Sequence, residues 1–114
     1  MQITRLIDVV GHQAALELVR GYNGRRLYIR KRIDPDSPLA MRIGYAAAQQ
    51  LSTECGGDTI EIPVERNALI KLRDQAIVAE LTAGETPRDV AARHGLSARH
   101  VRHIRDVQSR ESRA

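Results

Sequence analysis

The sequence predicts a mainly α-helical protein with a small two-stranded antiparallel β-ribbon and a C-terminal helix-turn-helix. Three observations predict it. The 114 residues include no Phe or Trp and only three Tyr, so the core must be assembled from Leu, Ile, Val and Ala, which suit closely packed helices. A segment of the first half recurs 33 positions later. The second half holds two short helical segments joined at a glycine, with apolar residues where a helix-turn-helix needs them.

The repeat aligns Val10-Gly11-His12-Gln13-Ala14-Ala15-Leu16-Glu17-Leu18 with Ile43-Gly44-Tyr45-Ala46-Ala47-Ala48-Gln49-Gln50-Leu51, and Asn23 to Ile29 with Gly56 to Ile62. Each copy reads as a helix, a turn and a strand. The first helix places Ala14, Leu18 and Val19 on one face, the second Ala47, Ala48 and Leu51. The pairs Asn23-Gly24 and Gly56-Gly57, suited to positive φ, stop the two helices. Beyond each stop, Leu27 and Ile29, or Ile60 and Ile62, alternate with polar residues as in a half-buried strand. The strands are expected to pair antiparallel. Pro63, with no ladder donor, ends the second, and Asp34-Pro35-Asp36-Ser37-Pro38 forms the loop between copies. A two-stranded ribbon needs helices or a second chain to support it, and the sequence leaves open whether the copies pair within one chain or between two. Glycine pairs beside a strand also suggest a phosphate cradle, but the order here is helix, glycines, strand, the reverse of a nucleotide-binding loop.

In the second half, a helix is expected from Asn67 to about Ala83, with Leu69, Ile70, Leu72, Ile77, Val78 and Leu81 on its apolar face and Gly84 ending it. Thr86-Pro87-Arg88-Asp89 then gives the next helix a capping hydroxyl, a proline at its first position and a carboxylate three residues past the cap. Val90, Ala91 and His94 turn inward, and Gly95 breaks that helix. Ser97 caps the last one, in which Val101 and Ile104 are the anchors. The small Ala91 allows a close helix crossing, Gly95 supplies the tight turn, and Leu96, Val101 and Ile104 fix the crossing angle. The segment from Ser109 to Ala114 is expected to fray.

The outward face of the last helix carries Arg99, His100, Arg102, His103 and Arg105, with no acidic residue before Asp106. A recognition helix needs such a face, because donors near its start reach base edges while flanking arginines fix register on phosphates. Arg99, His100 and Arg102 are the candidates for base edges or nearby phosphates, and His103, Arg105 and Arg88 for the backbone. Ser97 caps the helix and contacts phosphate as well. The balance of 18 Lys and Arg against 14 Asp and Glu, nearly all of it Arg, fits double-stranded DNA as the partner.

Other chemistries are disfavoured. His94, His100 and His103 lie close in sequence, but no Cys or paired carboxylate joins them in a metal-ligand spacing. No nucleophile, base and orienting group recur together, so no catalytic residue, no enzyme and no cofactor is expected. The single Cys55 excludes an internal disulfide and reads as a small buried residue of a reducing compartment. The absence of a long apolar run or a signal-peptide pattern leads to the expectation of a soluble, cytoplasmic, nucleoid-associated protein. The domain reading is a duplicated platform for folding and dimerisation over residues 1–66 and a DNA-binding helix-turn-helix region over residues 67–114.

A glycine-stopped helix leading to Tyr28-Ile29-Arg30-Lys31, repeated at Gly56-Gly57-Asp58-Thr59-Ile60-Glu61-Ile62-Pro63 ahead of a helix-turn-helix, resembles the middle operon regulator (Mor) family of phage Mu-like transcription activators. The likeness runs from about Ile7 to Ile104. Its signature, two glycines, three residues and then Tyr-Ile-Pro-Lys, is split here. The first copy keeps Tyr28, Ile29 and Lys31; the second keeps Gly56, Gly57, Ile62 and Pro63. The resemblance implies a homodimer with an N-terminal interface, two helix-turn-helices on an inverted repeat, and activation through contact with RNA polymerase. It also implies secondary contacts to the DNA backbone from Arg25, Arg26, Arg30 and Lys31. The alternative is a prophage assembly or protein-interaction module that binds DNA without reading sequence, or binds an acidic protein partner.

Overall fold

The computed structural model of the chain describes residues 1–113, with side chains through Glu111. It is mainly helical with one two-stranded antiparallel sheet. The elements are α1 (Ile3–Val10), α2 (His12–Tyr22), β1 (Arg26–Tyr28), α3 (Pro38–Ile43), α4 (Tyr45–Cys55), β2 (Thr59–Glu61), α5 (Glu65–Thr82), α6 (Pro87–His94) and α7 (Ala98–Arg113). They form two compact units, Met1–Leu69 and a second that begins at Ile70. Among the described residues, no helix is long and apolar enough to cross a membrane.

The first unit is the repeat, and the two copies pair within one chain. Shifted by 33 positions, α1 corresponds to α3, α2 to α4 and β1 to β2. The packing follows the same rule, with α1 against α2 and α4, and α3 against α4 and α2. In the ribbon, Arg26 lies opposite Glu61, Leu27 opposite Ile60 and Tyr28 opposite Thr59, so Leu27 faces its own counterpart. The flanking bonds repeat as well: the Ile29 N–H donates to the Asp58 carbonyl at 2.9 Å, and the Ile62 N–H to the Arg25 carbonyl at 2.8 Å. These are one bond seen twice about a local two-fold axis through the Leu27–Ile60 pair.

Each small-residue helix is preceded by a short helix, α1 or α3, that the helix-turn-strand reading of the repeat does not include. Gly11 and Gly44, at φ 89° and 93°, each end one helix and start the next, a backbone conformation that L side chains rarely adopt. The loop expected over residues 34–38 therefore ends in a helix start. Ser37 is the N-cap of α3, its Oγ accepting the Ala40 N–H at 3.2 Å, and Pro38 opens the helix.

Ile3, Leu6, Ala15, Leu18 and Val19 from one copy and Ala48, Leu51, Ile60 and Ile62 from the other fill the core, closed by Ala68 of α5. The alanines that go fully inside are Ala15 and its counterpart Ala48, while Ala14 and Ala47 are half-buried. Cys55 is buried, and burial pushes its thiol pKa up, which fits a packing role. The Ser52 hydroxyl contacts the carbonyls of Arg30 and Lys31 at 2.8 and 2.9 Å and holds the segment after β1 to α4. The side-chain carbonyl of Asn23 accepts the Glu65 N–H at 2.7 Å and so ties the turn before β1 to the start of α5.

Helix α5 serves two cores in succession. Ala68 packs in the first, and Ile77 is fully buried in the second with Val78 and Leu81 beside it. The broad apolar face expected on this helix is therefore interrupted: Leu69 and Ile70 lie between the two contact regions and stay 45% and 38% exposed. Helix α7 continues through Arg113, past Ser109 where fraying was expected; Ala114 lies outside the described residues.

Candidate nucleic-acid interface

Two helices and a turn position the basic face. Thr86 caps α6, its Oγ1 accepting the Asp89 N–H at 3.2 Å, with Pro87 at the first helical position. Gly95 ends α6 in the left-handed region at φ 68° and ψ 30°. The chain reverses there without the strain a Cβ would bring. Ser97 then caps α7, its Oγ accepting the His100 N–H at 3.0 Å.

On the inner side, Ile77, Val90, Ala91, Val101 and Ile104 form one buried cluster, with Val78, Leu81, Leu96 and Ala98 against it. Each fully buried Ile or Val adds about 1.5 to 3 kcal/mol to holding α7 in place. Of the residues read from the sequence as packing slots, Ala91, Val101 and Ile104 are in this cluster and Leu96 packs against it.

A polar network invisible to pattern reading fixes α6 on α5. His94 Nε2 lies 2.6 Å from Glu80 Oε2, with their side chains only 19% and 21% exposed. The Arg93 guanidinium bridges Glu80 and Glu85. Hydrogen bonds from His94 and then Arg93 hold the Glu80 carboxyl below its ordinary pKa, and the Arg93 bond does the same for Glu85.

A carboxylate with a lowered folded-state pKa contributes stability above its unfolded pKa and loses it as pH falls through the folded value. Glu80→Gln is therefore expected to melt below the wild type near neutral pH. The gap should close as the pH falls below the ordinary glutamate range, where the wild-type carboxylates take up protons. Melting curves of the two chains across that range check this; a gap independent of pH would contradict it.

The outer side of α7 presents Arg99, His100, Arg102, His103 and Arg105, all exposed. Arg105 pairs with Asp106 at 3.5 Å, both about half exposed. Among the described residues, Arg99, His100, Arg102 and His103 meet no carboxylate, so their donors remain available to a ligand. Ser97 and Arg88 are exposed too, at the starts of α7 and α6. His94 faces Glu80 and does not share the outer face with His100 and His103. Among the described residues, no three His, Cys, Asp or Glu side chains converge as metal ligands.

The secondary residues Arg25, Arg26, Arg30 and Lys31 belong to the first unit, on and beside β1, and all are exposed. Arg26 is paired across the ribbon with Glu61 at 3.3 Å, an exposed bond that holds little energy. Arg32, which the sequence reading passed over, is exposed beside them. A run of three basic residues at Arg30-Lys31-Arg32 was the signal that marked it.

The model of the Mor transcription activator family matches residues 25–114 of the chain. No curated protein and no solved structure matches it. The matched span opens at β1, not near Ile7 as the resemblance suggested, and leaves α1 and α2 outside it. These two helices are the counterparts of α3 and α4 in the 33-residue repeat.

Proposed function

The chain belongs to the Mor transcription activator family, and from that premise we propose that it binds a specific duplex sequence by laying α7 in the major groove. The observation that carries this reading is the division of α7. Val101 and Ile104 are buried on one side, while Arg99, His100, Arg102 and His103 stand exposed and unopposed on the other. Such a helix costs little to desolvate against a polyanion and presents donors that match guanine and phosphate.

Arg99, His100 and Arg102 are assigned to base edges, and His103, Arg105, Arg88 and Ser97 to the backbone. Arg25, Arg26, Arg30 and Lys31 add phosphate contacts from the first unit. Two chains are expected on an inverted repeat, with half-site centres about 34 to 36 Å apart or a multiple of that. Activation through contact with RNA polymerase completes the reading and rests on the family alone.

Affinity for the selected sequence and for unrelated duplex, measured across a salt series, tests it. Both should weaken with a log–log slope of about −0.9 per phosphate contact, and their ratio should reach about 10³ or more. A ratio near one would leave a protein that holds DNA without reading it, as an assembly or packaging module does.

A further inference from the structure

We propose that the first unit is a single-chain pseudo-dimer, complete in itself, so that the protein is a monomer in solution and delivers one copy of α7 per chain. Three observations carry this. The two copies pair about a local two-fold axis, with Leu27 opposite Ile60 and matching flanking hydrogen bonds. The copies have diverged in charge: residues 1–33 hold seven Lys and Arg against two acidic residues, and residues 34–66 hold two against six. The family match covers residues 25–114 and does not reach α1 and α2.

The charge divergence selects the pairing. Joining two first copies would bring together two segments of net charge +5, and joining two second copies two segments of net charge −4, so both like pairings are opposed by their net charge. Pairing the first copy with the second instead sets Arg26 against Glu61 at 3.3 Å and Arg20 near Glu65 at 3.8 Å. Because the copies are consecutive in one chain, that favoured partner is already present at an effective concentration of order mM. At micromolar protein, the internal pairing outcompetes exchange with a second chain by about 10³.

The inverted repeat proposed above is then filled by two chains that arrive separately. At low occupancy, full loading rises with the square of protein concentration, not with its first power. This consequence rests on the proposed DNA reading, whereas the monomeric platform does not.

The test therefore uses no DNA. Tyr28→Cys and Thr59→Cys, exposed cross-strand partners, are combined in a Cys55→Ala background and oxidised at about 1 to 100 µM. The disulfide is expected within one chain at every concentration. Light scattering on the unaltered protein over the same range is expected to give the mass of one chain, which covers the case in which the triple variant fails to fold. A disulfide that joins two chains, or a two-chain mass that persists on dilution, would overturn the proposal. Neither result would bear on whether α7 reads DNA.

Discussion

Arg99→Ala and Arg102→Ala are each expected to weaken specific DNA binding by about 1 to 3 kcal/mol, a loss of roughly 5- to 150-fold. The two residues lie three apart on α7, so they are neighbours on the same side of the helix, exposed and without a carboxylate partner among the described residues. Removing them should leave the fold alone, because the anchors Val101 and Ile104 are on the opposite side. If each reaches a different base or phosphate, the double variant loses close to the sum of the two effects. Titration of each variant against the selected duplex at fixed salt, beside thermal melts of the free proteins, checks the assignment. Unchanged affinity in both single variants, with melts unchanged, would remove α7 as the reading helix.

Leu18→Ala and Leu51→Ala should each cost about 2 to 5 kcal/mol of stability, a large part of the 5 to 15 kcal/mol that holds an ordinary domain together. Both side chains are fully buried, and they are counterparts under the local two-fold axis. Their cavities open in matching surroundings, so their costs should fall within about 1 kcal/mol of each other. Denaturant unfolding of the two variants measures this. A loss below about 1 kcal/mol at either site would mean that its half of the core is not packed as described.

Much of this architecture is legible in the sequence because it rests on local rules. Thr86, Pro87 and Gly95 mark the bounds of α6 through capping and backbone conformation, and these depend on neighbours a few residues away. The 33-residue repeat exposes the two strands, since Leu27 and Ile60 occupy the same place in each copy. The helices α1 and α3 escape notice because each is short and ends at a glycine that looks like an interruption. Gly11 and Gly44 in fact join two helices at a sharp bend.

Leu69 and Ile70 look like core residues from periodicity alone. Periodicity cannot show that one helix passes from one core to another, as α5 does between Ala68 and Ile77. The His94–Glu80–Arg93–Glu85 network joins residues 8 to 14 positions apart on two helices and the turn between them, so no local pattern reveals it. The basic residues of α7 were visible from the start, because exposure of one side follows once Val101 and Ile104 are placed inside.

Selection of bound sequences from a random duplex library at near-physiological salt probes DNA reading by α7 most directly, with the Arg99→Ala/Arg102→Ala protein as the control. The proposed function requires an enriched inverted repeat for the unaltered chain and its loss in the control. Retained binding with no enriched sequence, or the same repeat enriched by both proteins, would contradict it.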